Sequence, residues 1–268
     1  MRITVGKGSC GIAAGASEIF DRLEQGLQKP GDCPVTITGC IGLCYLEPIV
    51  NIENGSDIRT FVRVNAEAAD EIVKLVTGEN NEAEKYAIPQ EDLKVLQSRQ
   101  SVALKNCGVI NPECIEEYTA REGYDAIGKC LKEYTPEKVI DEIKISGLRG
   151  RGGAGFPTFF KWQAARDAKG SKKYVICNAD EGDPGAFMDR SVIEGDPHAV
   201  IEGMMVAAYA IGSDEGIVYV RAEYPLAIKR LEKALEQARQ KGLLGENILG
   251  SGFNFDIRIK MGSGAFVC

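Results

Sequence analysis

Hydrophobic and polar positions in residues 2–76 follow the order strand, helix, strand, strand, strand, helix. Short apolar runs at 2–5 and 35–38 predict strands, and the residues on either side of Glu53-Asn54-Gly55 predict a strand pair. Apolar residues at helical spacing over 13–27 and 66–76 predict the two helices. The order predicts a small α/β domain.

The chain from residue 92 onward alternates helices with strands. Short helices are predicted over 112–121 and 124–134, and a third begins at Pro136. Buried-strand patterns follow at 174–177 and 217–220, and an alternating pattern predicts a strand at 253–259. Apolar residues at helical spacing predict helices over 197–211 and 226–241. Strands separated by helices indicate an α/β sheet. The polar, charged residues 79–91 before this part predict a solvated linker.

Five glycines lie within the nine residues 147–155. Without Cβ atoms, such a loop can turn sharply and line up its N–H groups on an anion. It leads into a helix predicted from Pro157, whose positive dipole end would favour phosphate. A flexible tether is the alternative, which the following aromatic residues Phe156, Phe159, Phe160 and Trp162 disfavour. No Gly-Lys-Ser/Thr follows, so a P-loop hydrolase is disfavoured.

A second polar block follows the strand predicted at 174–177. Asn178, Asp180 and Glu181 come directly after this strand. Polar groups at the carboxyl end of a strand in an α/β sheet face the ligand crevice. An amide and two carboxylates there suit a ring rich in donors and acceptors together with a polyol chain.

Composition and charge narrow the function classes. A formal charge of −7 disfavours nucleic acid as a partner, and the single histidine, His198, disfavours a Ser-His-Asp hydrolase or a His-rich metal site. The sequence has no apolar run of membrane-spanning length and no signal-peptide pattern, so we expect a soluble cytoplasmic protein. Nine cysteines in such a protein are better interpreted as metal ligands, buried thiols or redox groups than as disulfides.

The glycine run, the Cys177–Pro184 block and the later segment 219–224 carry a resemblance. From about Gln97 to Cys268 the chain resembles the flavin-bearing, NADH-oxidising subunit of respiratory complex I and its relatives in soluble NAD(P)-linked hydrogenases and formate dehydrogenases. The resemblance implies an incomplete Rossmann-like FMN/NAD(P)H-binding domain over 146–268, preceded by a helical arm over 92–145. It implies an oxidoreductase subunit that transfers hydride between NAD(P)H and FMN and single electrons between FMN and iron–sulfur clusters, in either direction.

The same resemblance implies site residues. The predicted cofactor-binding residues are Gly150, Arg151, Gly152, Gly153, Phe156, Lys161, Asn178, Asp180, Glu181 and Asp183. Of these, Glu181 is also the predicted catalytic residue, because the resemblance places it near the reacting nicotinamide. Phe156 matches the aromatic residue that stacks on adenine in the relatives. Two positions depart from their pattern, because Ala164 replaces a second aromatic residue and Asp183 replaces a common Glu. These departures affect the adenine clamp and the ribose contact.

Three cysteines near the amino terminus form a second candidate site. Cys40 and Cys44 share a tight loop, and Cys10 begins the first predicted helix. The strand order and this spacing resemble thioredoxin-like [2Fe–2S] ferredoxins, which implies that residues 1–78 form such a domain with these three cysteines as metal ligands. The family's first cysteine is absent near Val5. Three interpretations of these cysteines therefore remain open. They could hold a cluster with an unusual fourth ligand, belong to an iron-free docking or thiol domain, or simply pack in the core.

The sequence around Met261–Cys268 precedes the place where the relatives carry Gly-Glu-Glu. We therefore expect a fragment of a longer polypeptide, with a [4Fe–4S] cluster only in the missing carboxyl-terminal part. Expected partners are a nicotinamide dinucleotide and other iron–sulfur, hydrogenase or dehydrogenase subunits, without a direct membrane span. The alternative is a cofactor-free docking or structural module of such a complex.

Overall fold

A computed structural model describes residues 1–28 and 33–264. Two compact units make up the chain. The first comprises Met1–Pro112 with Glu194–Asp196, and the second comprises Glu113–Ile193 with Pro197–Cys268. None of the helices in the described ranges has the length and apolar character needed to cross a membrane.

The first unit contains a four-stranded sheet. Its strands are β1 (Arg2–Gly6), β2 (Val35–Thr38), β3 (Val50–Asn54) and β4 (Asp57–Phe61). Their spatial order is β2-β1-β3-β4, with β1 parallel to β2 and antiparallel pairing between β1 and β3 and between β3 and β4. The accompanying helices are α1 (Ser9–Ala13), α2 (Ala16–Gly26), α3 (Ala66–Thr77) and α4 (Gln90–Ser98). This topology is thioredoxin-like and confirms the predicted fold class of the amino-terminal part.

The helix predicted over 13–27 is α2, and the residues directly before it form a further short helix, α1. Gly15 has a φ of 101°, in the left-handed region that glycine tolerates, and it separates α1 from α2. As a result Cys10 lies on a separate short helix that starts directly after β1 and its turn. Helices α2 and α3 pack together over an apolar core that includes Ile3, Leu23 and Ile72, each fully buried.

The segment predicted as a solvated linker packs along the sheet. Ala83 is fully buried in the core of the first unit, and Ala87 pairs with Phe61 of β4. The N–H of Ile88 donates to the carbonyl of Thr60 at 2.9 Å, so this segment adds backbone hydrogen bonds to the edge of the sheet. The interpretation as a solvated loop is wrong for these residues, because covering an open strand edge outweighs their polar composition.

The second unit is an α/β arrangement. Its helices are α5 (Ile115–Thr119), α6 (Asp125–Glu133), α7 (Pro136–Ser146), α8 (Thr158–Asp167), α9 (Met188–Gly195), α10 (Pro197–Ile211) and α11 (Pro225–Gln240). Its strands β5 (Tyr174–Ala179), β6 (Glu215–Arg221) and β7 (Asp256–Gly262) form a parallel sheet in chain order. Parallel strands alternating with helices confirm the predicted class.

The two faces of this parallel sheet differ in burial. Val218 and Val220 of β6 are fully buried, and a Cβ at Gly216 on the same face would meet the Met204 side chain of α10. On the other face Tyr174 is 48% and Ile176 is 65% exposed. The prediction of a buried strand at 174–177 is therefore wrong for Tyr174 and Ile176, because the described residues leave their face of β5 exposed.

Candidate functional site

The glycine run forms a closed hairpin between α7 and α8. The N–H of Gly150 donates to the carbonyl of Phe156 at 2.8 Å, and the N–H of Thr158 donates to that of Leu148 at 3.0 Å. An antiparallel bridge between Arg149 and Pro157 closes the base. These bonds fix the two ends of the loop, and α8 begins immediately after it with Pro157 as its N-cap, as predicted.

The tip of the hairpin leaves open space around its backbone. A Cβ built at Gly152, Gly153 or Gly155 would meet no atom of residues 1–28 or 33–264 within 4 Å. Gly153 and Gly155 have φ values of 98° and 59°, which a side chain would make costly. The tip can therefore accept a ligand against its backbone, and this open cradle fits the phosphate-bearing portion of FMN.

Two predicted side chains lie together beside the hairpin. The Lys161 ammonium is 5.7 Å from the centroid of the Phe156 ring, and Phe156 is 42% exposed. Phe160 also packs edge-on against Phe156. An exposed ring with a cation above one face is available for stacking on a flat ligand.

The carboxyl ends of β5 and β6 carry two buried polar atoms that have no hydrogen-bond partner among the described residues. They are Oδ1 of Asp180 and Nε of Arg221. The strands are parallel and Ala179 pairs with Val220, so both atoms lie at the same edge of the sheet. The side-chain oxygen of Asn178 accepts the Asp180 N–H at 3.0 Å. Unpartnered buried polar atoms are rare, and a donor and an acceptor here fit a ligand with hydroxyl groups.

Glu181, predicted as catalytic, caps helix α9 in this structure. Its carboxylate accepts the N–H groups of Met188 at 2.5 Å, Asp189 at 3.0 Å and Arg190 at 3.3 Å. The Tyr224 hydroxyl donates to the same carboxylate at 3.1 Å. A carboxylate at a helix amino terminus is favourable because it meets unsatisfied N–H groups and the positive end of the dipole.

Arg221 and Tyr224 also lie at this edge of the sheet, although neither was predicted from the sequence as a site residue. Arg221 donates from Nη1 to the Glu181 carbonyl at 2.5 Å, and the Tyr224 hydroxyl lies 3.4 Å from that oxygen. The signal was present, because both residues lie in the segment 219–224 that carries the family resemblance.

The remaining predicted residues are placed separately. Asp183 lies in an exposed turn, in which its carbonyl accepts the Ala186 N–H at 3.0 Å. Arg151 donates to the Arg149 carbonyl at 3.2 Å, within the hairpin. Among the described residues, the hydrogen bonds of the hairpin tip are internal, and none reaches residues 178–183. The glycine hairpin and residues 178–183 are connected through packed helices. Helices α7 and α8, on either side of the hairpin, both pack on α10, and α10 packs on β5.

Burial shifts the pKa of two groups beneath this edge. It raises the pKa of Cys177 to about 11, with a smaller contribution from the charge of Asp189. Burial, followed by the charge of Glu181, also raises the pKa of Asp189. Cys177 is therefore a neutral thiol near pH 7 and is not a nucleophile.

The first unit brings its three predicted thiols together at one end of its sheet. The sulfur atoms of Cys40 and Cys44 are 3.6 Å apart, and Cys44 is hydrogen-bonded to Cys10. The Gly42 N–H donates to the Cys40 sulfur at 3.2 Å. Burial is the main cause that raises the pKa of Cys40 and of Cys44, and the charge of Glu47 acts in the same direction on both.

The spacing of these thiols suits ligation in pairs. Two thiolates on one tetrahedral metal with metal–sulfur bonds of about 2.3 Å are roughly 3.7 Å apart, close to the 3.6 Å between Cys40 and Cys44. Within residues 1–28 and 33–264, no group of three or more His, Cys, Asp or Glu side chains is arranged to hold a single metal ion. A [2Fe–2S] cluster takes two protein ligands on each iron, so the three thiols fit it in part and leave one position to be filled.

Comparison with known proteins supports the resemblance noted in the sequence. Residues 143–268 match the model of the Nuo51 FMN-binding domain. Over those residues, a little under half of its length, the chain is similar to this family. The glycine hairpin, the Asn178 block and Arg221 all lie within the matched range.

Three relatives illustrate the extent of this similarity. The chain is 61% identical over 167 residues to the NADP-reducing hydrogenase subunit HndC of Solidesulfovibrio fructosivorans, over 62% of this chain and 34% of that protein. It is 41% identical over 236 residues to the NAD-reducing hydrogenase HoxS subunit alpha of Cupriavidus necator, over 86% of this chain and 37% of that protein. A crystal structure of an air-oxidized NAD⁺-reducing [NiFe]-hydrogenase aligns at 27% identity and a TM-score of 0.48, over 100% of this chain and 43% of that chain. The chain thus spans about a third of the two curated relatives.

Proposed function

We propose that this chain is the FMN-binding portion of an electron-input subunit in a multisubunit oxidoreductase. The whole subunit would transfer hydride between NAD(P)H and FMN and single electrons between FMN and iron–sulfur centres. FMN supplies this conversion because it takes up two electrons at once and releases them singly. The observation that carries the proposal is the pair of unpartnered buried atoms, on Asp180 and Arg221, in a segment of an FMN-binding family.

The hairpin residues have a defined task in this proposal. The backbone of Gly150–Gly153 would line the ribityl and phosphate portions, since a Cβ at Gly152 or Gly153 would point into open space. Lys161 would place a positive charge near the anionic part of the flavin, and Phe156 would stack on the dinucleotide adenine. These residues bind and orient, and their net positive charge favours an anionic ligand.

The residues at the sheet edge have a second task. Asn178 and Asp180 would hold the flavin ring or the ribityl hydroxyls, and Asp183 would meet the ribose of the nicotinamide dinucleotide. Glu181 would lie near both cofactors. Its carboxylate already accepts three backbone N–H groups, so the structure favours a positioning role in which it anchors α9 beside the site.

The first unit would carry a [2Fe–2S] cluster held by Cys10, Cys40 and Cys44 together with one further ligand. The thioredoxin-like topology and the 3.6 Å between two of the sulfur atoms support this assignment. Other iron–sulfur subunits would then be the electron partners of the complete protein.

Anaerobic reconstitution tests the flavin assignment. Adding FMN to the chain should quench the flavin fluorescence with one FMN bound per chain, and riboflavin should bind far more weakly because it lacks the phosphate. Partial bleaching of the bound flavin on addition of NADH or NADPH would extend the assignment to the nucleotide. Equal, weak binding of FMN and riboflavin would overturn it.

A further inference from the structure

Glu47 is a buried acid in the part of the first unit that holds the thiols. Its side chain is 8% exposed, and its Oε2 accepts the Ile49 N–H at 2.9 Å. Its Oε1 is buried and accepts no hydrogen bond from any described residue. Such an oxygen is costly, because it has lost its water without gaining a partner.

The surrounding backbone makes room for this carboxylate. A Cβ at Gly6 would lie 3.1 Å from Oε2 of Glu47, and a Cβ at Gly11 would lie 3.2 Å from it. Gly11 directly follows Cys10, and the charge of Glu47 reaches both Cys40 and Cys44. The carboxylate therefore lies against the loop of the first thiol and within electrostatic reach of the other two.

The ligand count of a [2Fe–2S] cluster leaves one position open. Cys40 and Cys44 have the separation of two thiolates on one iron, which leaves Cys10 and one more ligand for the other iron. Where the ferredoxin family has a cysteine after its first strand, this chain has Val5 and Gly6.

Two other cysteines in the first unit are poor candidates for that position. Cys33 belongs to the apolar core and precedes β2, whereas Cys40 follows β2. The length of β2 alone separates the two cysteines by about 10 Å. Cys107 packs against Gly195, and burial, followed by the charge of Asp196, raises the pKa of its thiol, so it stays protonated.

A second buried acid, Glu194, already has partners. Its carboxylate accepts both the N–H and the hydroxyl of Ser9, at 2.8 Å and 2.5 Å. It therefore provides a natural control, because it borders the same loop at Gly8 but has no idle oxygen of the kind found in Glu47.

We propose that Glu47 is the fourth protein ligand of the cluster, binding through Oε1 to the iron that also takes Cys10. This inference rests on the [2Fe–2S] cluster proposed above. Carboxylate oxygens are established iron ligands, and ligation gives the idle Oε1 the partner that it lacks. The position of the family's first cysteine, near Val5 and Gly6, is then filled by a carboxylate that lies against Gly6.

Reconstitution of the full chain with ferrous iron and sulfide, without oxygen, tests this ligand directly. The native chain should retain about two irons and show visible iron–sulfur bands. Glu47→Ala should lower retained iron at least fivefold. Glu47→Cys should restore about two irons with bands moved to longer wavelength, since a thiolate donates charge to iron more readily than a carboxylate does.

Matched variants separate ligation from other effects. Glu194→Gln and Cys107→Ser should retain iron like the native chain, and far-ultraviolet circular dichroism of each iron-free variant should report the native fold. A native chain that binds no iron would overturn both the cluster and this inference. A loaded native chain whose Glu47→Ala variant has the same iron content and spectrum would overturn this inference alone. The inference would also be overturned if the Glu47→Gln variant retained iron and the Glu47→Cys variant lost it. That result would mean that Glu47 donates a hydrogen bond to the cluster and does not bind iron.

Discussion

At the scale of single residues, Gly152 gives the cleanest test of the proposed flavin cradle. A methyl group there would meet no atom of the described part of the chain within 4 Å, and Gly152 does not have a positive φ that would disfavour a side chain. Gly152→Ala should therefore leave the fold unchanged and lower FMN affinity by about tenfold, ~1.4 kcal/mol. Fluorescence titration measures this change.

Gly203 provides the control for that substitution. It lies exposed within α10, where a Cβ would also meet no atom within 4 Å among the residues that the structure describes. Gly203→Ala should leave FMN affinity unchanged and stabilise the chain by about 1 kcal/mol through helix propensity. Equal FMN affinity in both variants would place the flavin away from the hairpin.

His198 predicts a pH dependence of stability. It is 1% exposed, with Nδ1 2.8 Å from the Tyr124 hydroxyl, and burial lowers its pKa from 6.5 to about 4. Between those pH values the unfolded chain binds a proton that the folded chain does not. The free energy of unfolding should therefore fall by about 3 kcal/mol as the pH drops from 7 to 4.

Denaturant titration of native protein and His198→Gln over this range isolates the effect. The difference between the two unfolding free energies should change with pH in the stated direction. A pH-independent difference would mean that His198 accepts a proton in the folded chain as easily as in the unfolded one.

Single residues also mark the limit of sequence reasoning. The glycine run and the Asn178 block were recognised because several unusual residues coincide in sequence. Glu47 was missed, since one glutamate before a proline has no pattern, and its burial arises only when the loops containing Gly6 and Gly11 close on it. Arg221 was visible in a recognised segment, but its unpartnered Nε depends on the pairing of β5 with β6.

At the scale of elements, the cap on α9 has a measurable consequence. Glu181→Ala removes the acceptor for three N–H groups at the start of this helix. It should cost about 1 kcal/mol and speed hydrogen exchange at 188–190. Glu181→Gln, which keeps one acceptor oxygen, should show a smaller change. If hydrogen exchange at 188–190 were unaltered in Glu181→Ala, Glu181 would not position α9. Its role would then be a direct contact with the cofactor.

Element boundaries followed local patterns where one face of an element is buried. Helix α10 and strand β2 begin and end where the sequence predicts. The strand predicted from Phe253 begins instead at Asp256, because Phe253 stacks on Phe255 in the preceding loop. Periodicity alone cannot separate an alternating strand from aromatic residues that pack in a turn.

At the scale of the whole molecule, the class of each unit was predictable and the packing of the connecting segment was not. The orders of helices and strands determine a thioredoxin-like sheet and a parallel sheet. Residues 79–91 have a linker composition, yet Ala83 and Ala87 pack on the first sheet. That contact depends on an open edge of β4, which composition does not report.

Hydrogen exchange of the chain with and without FMN tests the central claim most directly. The claim is that the glycine hairpin and the carboxyl end of β5 enclose one flavin. FMN should slow exchange at 150–157 and at 178–183 together, and by less in Gly152→Ala at the same FMN concentration. Protection of only one of these segments, or of neither, would contradict the account.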